Sequence, residues 1–567
     1  MVNALIIMTN AAFAAPCLGI MQLICALFLL QTDMSPRKRV YCLCRRPMTM
    51  ILLVDEINFV GLRHNVTGLQ NRVKWHFSAV FPQICVLWAH IFAKKSVIIY
   101  VLSLRNVYLC LRNSLIGRKM ERKLMSDLVK WKENPNRKPL ILLGARQVGK
   151  TWLLKEFGRR YYDNVAYVNC DNNPLVKDLF AQDYDMERII MTISAITRQT
   201  ITPERTLIIL DEIQETQRGL ASLKYFCEEA REYHVAVAGS LLGIQIHRGE
   251  SYPAGKVDTL TVFPMSFSEF LRAKGEDKMV EFAQEGEWSA IAGMKSRYTQ
   301  LLREYYFVGG MPEAVQQFVD TKDPNTVRNI QNEILQAYSK DVSKHAPIGE
   351  VVRINQVWRS IPSQLAKENR RFVYGVIKKG ARAKEYEVAI QWLIDAGLVY
   401  KIPRIASPAI PLSNYEDVSA FKLYVMDCGL LGAMSNVPPV MMLLPSGMGE
   451  SKGSFTENFV CAQMETIPDL TIAYYSREDS QLEIDFVIQL CDRVIPVEVK
   501  AEENLKSKSL KTFLSNHSSL HGVRVSMSDY REQENITNVP LYCFEAYLRN
   551  IKARRDKEIR NMLSSLL

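Results

Sequence analysis

The residues with the most chemistry in the sequence are Gly144-Ala145-Arg146-Gln147-Val148-Gly149-Lys150-Thr151, a complete GxxxxGK[ST] run. Glycines at this spacing let successive amide N–H groups curl round phosphate oxygens. Lys150 would neutralise β- and γ-phosphates, and the Thr151 hydroxyl would be a ligand for Mg²⁺. About sixty residues on, in the usual order for such sites, Leu207-Ile208-Ile209-Leu210 ends in Asp211-Glu212. Asp211 would hold Mg²⁺, and Glu212 would orient or deprotonate an attacking water. An Asp-Glu pair at a strand end is common by itself, but paired with the phosphate loop it forms a Walker A and Walker B set. ATP and Mg²⁺ are therefore the expected ligands. Ser240, just past a third apolar run, could sense the γ-phosphate or merely cap a turn.

The elements needed to position these groups are legible. Leu140-Ile141-Leu142-Leu143 is a short apolar run suited to a buried parallel strand, and residues 151–161 read as the helix after the loop. Residues 164–171 and 234–238 read as further strands, and residues 222–233 as a helix. This alternation predicts an α/β fold, a parallel sheet with helices on both faces.

Beyond residue 325 the pattern changes. Residues 381–396 predict an amphipathic helix with Tyr386, Ile390, Leu393 and Ile394 inward, ended by Gly397, and residues 398–402 predict a strand. Helix then hairpin is the layout of a winged-helix module. Lys367, Arg370, Arg371, Lys378, Lys379, Arg382 and Lys384 lie nearby. They could grip DNA phosphates, or be solvated charges on a module that packs protein against protein.

From Gly453 another helix is expected, with Thr456 as its cap. Residues 483–488 and 494–500 read as strands. Period two puts Ile495, Val497 and Val499 on one face, with Glu498 and Lys500 together on the other. Asp485 could face the same cleft, and Pro496 predicts an edge or irregular strand. The tail, residues 549–567, reads as a surface helix.

The stretches GARQVGKT, LIILDEIQE, AGSLLG, FPMSFSEFL (Phe263 to Leu271) and YFVGGMPEAV (Tyr306 to Val315) resemble prokaryotic AAA-type ATP-binding proteins. The resemblance covers Met120 almost to the C-terminus. It implies a P-loop AAA+ sheet with a helical lid containing Gly309-Gly310-Met311-Pro312 (residues 120–325), a winged-helix-like domain (326–440) and a small α/β domain (450–548). Asp485 with Glu498-x-Lys500 resembles the PD-(D/E)xK core of restriction-endonuclease-like folds. That likeness implies Glu457 as an additional acid, Mg²⁺ on Asp485 and Glu498, and Lys500 assisting water or steadying the phosphate. It leaves open whether such a site cuts DNA or has become an inactive partner-binding module. The resemblance identifies no arginine finger for a homo-oligomer; Arg297 and Arg303 are candidates, but a surface role suits each better.

Composition bounds the rest. The chain has 567 residues, 48% hydrophobic and 23% charged, enough for several globular domains. Its net charge of +11 lies wholly in residues 1–119, which hold fourteen Lys/Arg against three acids, so global charge does not mark the remainder as a nucleic-acid binder. Half of the twelve cysteines also precede Met120. The later ones are scattered without metal spacing, as in a reduced, cytoplasmic protein. The leading expectation is that Met120 is the natural start and residues 1–119 are an over-extended reading frame. The alternative is a membrane anchor at residues 11–30, which are uncharged and long enough to span a bilayer.

Overall fold

The computed structural model describes residues 5–8, 40–46, 49–54 and 120–566, the last span apart from 172, 217, 241, 248–251, 445–448, 478–481 and 504. Two units result, residues 1–116 and 117–567. In the first, Leu5–Met8, Val40–Arg46 and Thr49–Val54 form a three-stranded sheet in that order, parallel then antiparallel. The apolar stretch 11–30 and the residues leading up to Met120 lie outside the described residues. Among the described residues no helix is long and apolar enough to cross a membrane.

The second unit begins with helix α1 (Met125–Glu133) and builds a five-stranded parallel sheet from β1 (Leu140–Leu143), β2 (Asn164–Asn169), β3 (Thr206–Asp211), β4 (His234–Ala238) and β5 (Asp258–Thr261). Its order is β2-β3-β4-β1-β5. Strands covered on both faces need apolar side chains at nearly every position, and the central strands β1, β3 and β4 have them. Leu140, Leu142, Leu207, Ile209, Ala236 and Ala238 enter one core, while Ile141, Ile208, Leu210, Val235 and Val237 enter the other. Each buried Leu or Ile contributes about 2 kcal/mol. Helix α2 (Lys150–Tyr161) follows β1, and α3 (Met186–Thr197) and α4 (Gly219–Glu229) lie between the later strands. This is the P-loop AAA+ α/β fold. The expected helix over 222–233 starts and stops earlier, at Gly219 and Glu229.

A helical region continues with α5 (Phe267–Lys274), α6 (Lys295–Val308), α7 (Pro312–Thr321), α8 (Pro324–His345), α9 (Val351–Leu365) and α10 (Ala383–Asp395). On α10 Tyr386, Ile390 and Leu393 are buried, Ile394 is half-buried, and Gly397 (φ 70°) follows. Strands β6 (Val399–Ile405) and β7 (Glu416–Val425) form the expected hairpin. The hairpin is not a free wing, because β6 also pairs in parallel with β8 (Leu470–Ser476).

The residues before 440 and after 450 thus share one mixed eight-stranded sheet. Its order is β7-β6-β8-β9-β10-β11-β13-β12, with β9 (Glu483–Leu490), β10 (Arg493–Val499), β11 (Gly522–Ser526), β12 (Arg531–Glu532) and β13 (Ile536–Pro540). Helices α11 (Lys452–Glu465), α12 (Lys508–Asn516) and α13 (Phe544–Leu566) accompany it. Two expectations are corrected here. Pro496 sits inside the sheet rather than at an edge, and β11 pairs with β10 only from Val497 onward, so the proline stands just outside that register. Thr456 does not cap α11. It is buried within the helix and its hydroxyl bonds back to Lys452 O at 2.7 Å.

Candidate functional site

The loop between β1 and α2 is shaped by its backbone. Gly144 (φ 127°), Gln147 (φ 68°) and Gly149 (φ 93°) all adopt left-handed values. A Cβ at Gly144 would also lie 2.2 Å from Val262 O, so only glycine fits there. Alternation of this kind builds a concave nest of amide N–H groups, and α2 begins at Lys150 with its N-terminus on the same cradle. Ala145 and Val148 are buried, while Arg146 and Gln147 are exposed. Lys150 Nζ donates to Gly144 O at 2.7 Å and Ala145 O at 2.8 Å. Burial lowers its pKa to about 8, opposed by the charges of Glu212 and Asp211.

The order of the sheet places β4 between β1 and β3, so groups at the strand ends converge over β4. Thr151 Oγ1 donates to Asp211 Oδ2 at 2.9 Å, joining two expected Mg²⁺ ligands. Burial raises the Asp211 pKa, against hydrogen bonds from Thr151 and Tyr167. A hydroxyl touching a carboxylate is the hard-oxygen donor set that Mg²⁺ takes, so these residues fit the ion.

Glu212 adopts φ 53°, an arrangement that costs a non-glycine residue about 1–2 kcal/mol and needs local support. Its amide donates to Ala238 O at 2.7 Å. Its Oε2 accepts from Ser240 N at 3.1 Å, Ser240 Oγ at 3.3 Å and Gln214 Nε2 at 2.5 Å. Ser240 thus meets Glu212 instead of only capping a turn.

Sequence reasoning missed Tyr167. Its hydroxyl donates to Asp211 Oδ2 at 3.0 Å from the neighbouring strand, and Lys155 Nζ lies 3.4 Å from its ring centroid. The available signal was the parallel pairing of β2 with β3, which puts Tyr167 opposite Ile209 and on the same face as Asp211 two residues on. Of the two arginine-finger candidates, Arg297 is paired to Glu276, with Nε to Oε1 at 3.1 Å.

The C-terminal candidates share a second neighbourhood. Glu457 on α11 is buried. Its Oε1 meets Arg370 Nη1 at 2.5 Å and its Oε2 accepts from Tyr424 OH at 3.2 Å. Burial pushes the Glu457 carboxyl up to about 8, and the charge of Asp485 adds to that against Arg370 and Lys422. Burial works against the Arg370 guanidinium, but Glu457 and Asp485 outweigh it and its pKa is raised. Asp485 Oδ2 accepts from Val499 N at 2.8 Å. Glu498 pairs with Lys500 Nζ at 2.7 Å and accepts from Leu510 N at 3.3 Å.

The acids are therefore neighbours, but protein cations and donors occupy their oxygens. Lys422, fully buried, pairs with Glu483 at 2.6 Å beside them. Among the described residues no group of three or more His, Cys, Asp or Glu side chains is arranged to hold a metal. Glu457, Asp485 and Glu498 as placed do not fit a divalent ion.

Comparison with known proteins agrees with the first site. Residues 136–271 match an AAA domain family. Residues 299–440 and 452–544 match two domains of unknown function, DUF8612 and DUF4143. No curated protein matches the chain.

Similar solved structures include a Walker-type ATPase of Pyrococcus abyssi, at 14% identity and TM-score 0.36, covering 56% of this chain and 97% of that one. The Aeropyrum pernix ORC1 protein in complex with DNA has 17% identity and TM-score 0.23, covering 57% and 93%. The ADP form of the Aeropyrum pernix ORC2 protein has 14% identity and TM-score 0.29, covering 58% and 96%. At these scores the structural likenesses carry no argument. The match over residues 136–271 lies on this loop and this sheet, and that part of the chain is similar to an AAA domain.

Proposed function

We propose that the chain binds Mg²⁺-ATP at residues 144–151, hydrolyses it, and passes the nucleotide state to its middle and C-terminal segments. The contact between Thr151 and Asp211 carries this reading, because it brings a Walker A hydroxyl and a Walker B carboxylate to one point. Mg²⁺, when bound there, supplies charge neutralisation to the phosphates. The amides of residues 144–149 and Lys150 bind and orient the triphosphate. Glu212, held by Ser240 and Gln214, orients water and accepts its proton.

Passage of the state rests on direct contacts. Arg146 Nη1 pairs with Asp341 of α8 at 2.6 Å. Gly397, after α10, approaches the loop so closely that a Cβ there would be 3.1 Å from Ala145 N. The test is nucleotide binding and turnover with Lys150→Ala and Glu212→Gln. The first should lose ATP binding, and the second should retain ATP while turnover falls at least about a hundredfold. Unaltered turnover in Glu212→Gln would remove it from its role.

For the C-terminal half, the occupied oxygens of Glu457 favour a module that recognises a partner over one that cuts. DNA contact is the second reading, favoured by the exposure of Lys378, Lys379, Arg382 and Lys384. A Mg²⁺- or Mn²⁺-dependent nuclease assay on wild type, Asp485→Ala and Lys500→Ala separates recognition from cutting. Cleavage lost in both variants would establish the cutting site.

A further inference from the structure

A phosphate cradle makes a demand that its motif cannot meet alone. Amide N–H groups that turn inward send their carbonyls outward, and buried carbonyls need donors. Two of those donors come from outside residues 136–271. Arg122 Nη1 donates to Val148 O at 2.8 Å, and the Tyr338 hydroxyl donates to Arg146 O at 2.9 Å.

Both donors are themselves held. Arg122 is 7% exposed. Its Nε meets Glu269 Oε1 at 3.0 Å and its Nη2 donates to Phe263 O at 2.6 Å. Glu269 closes a capping box with Ser266 at the start of α5 and also accepts from Lys123 N at 2.8 Å. The stretch from Phe263 to Leu271 therefore presents two acceptors that fix one guanidinium. Tyr338 is 2% exposed on α8. One turn further along the same helix is Asp341, which takes the Arg146 side chain. Main chain and side chain of Arg146 are thus both anchored to α8.

We propose that Arg122 and Tyr338 are positioning residues of the phosphate site. They act through the carbonyls of Val148 and Arg146 and so aim the amides at the nucleotide's phosphates. The proposal rests on the Mg²⁺-ATP reading above and deepens it: α8, which belongs to the 299–440 match, is part of the nucleotide site, and the cradle is complete only with that helix docked.

The test is binding of ADP and of adenosine to the full chain, by calorimetry or competition, in wild type, Tyr338→Phe and Arg122→Lys. Tyr338→Phe removes one hydroxyl and keeps the ring. Arg122→Lys keeps a charge for Glu269 but cannot serve all three acceptors. Positioning predicts ADP affinity about three- to tenfold weaker in each variant, the worth of one hydrogen bond. Adenosine, which has no phosphate, should bind as in wild type, and the melting temperature of Tyr338→Phe should be nearly unchanged. Equal loss for ADP and adenosine, or a Tyr338→Phe protein that binds ADP as wild type does, would overturn the proposal. Failure of wild type to bind ADP or ATP at all would instead overturn the reading beneath it.

Discussion

Arg370, from the loop between α9 and α10, reaches the Glu457 carboxyl on α11, which is almost wholly buried. Without the guanidinium that carboxyl must keep its proton or carry an uncompensated charge. Arg370→Ala should therefore destabilise the chain most above pH 8, where Glu457 would otherwise ionise, by about 3 kcal/mol. It should also make stability responsive to divalent ions, since Mn²⁺ could then serve the freed carboxylate. Melting curves without nucleotide, with and without Mn²⁺, check this. A variant that melts like wild type, or is indifferent to Mn²⁺, would show that the pair does not stand in for an ion.

Asp427 gives a pH dependence of known sign. It is buried, accepts from Gly310 N at 2.5 Å and Leu430 N at 2.9 Å, and burial pushes its pKa up to about 6 from an ordinary 3.8. A carboxyl whose folded pKa is raised binds its proton more tightly in the folded chain. Its contribution is fully present below pH 3.8 and is lost as pH rises through 6. Asp427→Asn should accordingly gain on wild type between pH 4 and pH 6, by about 2 kcal/mol over that interval. Parallel denaturant titrations at the two values measure it, and a constant difference would contradict it.

Tyr167→Phe should raise the Mg²⁺ concentration needed for half-maximal ATP turnover by about tenfold, as loss of an outer partner of a metal ligand commonly does. The hydroxyl bonds to Asp211, an expected metal ligand, so metal-free nucleotide binding should be unchanged. An unaltered Mg²⁺ curve would leave Tyr167 a packing residue.

Ser240→Ala removes the 3.3 Å hydroxyl contact to Glu212 and retains the 3.1 Å amide contact. Turnover should fall about three- to tenfold with KM nearly unchanged, the pattern of a group that aligns the base. Steady-state kinetics decide it. A rise in KM at constant kcat would place Ser240 on bound nucleotide instead.

The nucleotide site was readable because its demands are local. Gly144, Gly149, Lys150 and Thr151 lie within one turn of chain, and Asp211 is announced by four aliphatic residues before it. The convergence of Asp211 with Thr151 follows from sheet order, which strand–helix alternation alone does not fix. Tyr167, Arg122 and Tyr338 were hidden because each acts through a partner distant in sequence, and a lone tyrosine or arginine has no spacing to betray it. Glu457, Asp485 and Glu498 were singled out by the likeness to a PD-(D/E)xK core, and they lie near one another. That likeness could not reveal that Arg370 arrives from another segment to meet Glu457. The misplacement of Pro496 has a similar cause: a proline reports a missing donor, and only the register of β11 shows where that loss is tolerated.

Gly397, against the phosphate loop, is followed almost at once by β6, which is paired along its length with β7 and at Arg404 and Ile405 also with β8, within the eight-stranded sheet. A strand so bound cannot yield one residue at a time, because slipping by one would turn every side chain to the opposite face. Under the proposed nucleotide reading, displacement of the loop at Ala145 would press on a stiff board instead of a slack tether. An ångström-scale adjustment near the phosphates would then tilt the carboxyl half as a short crank does.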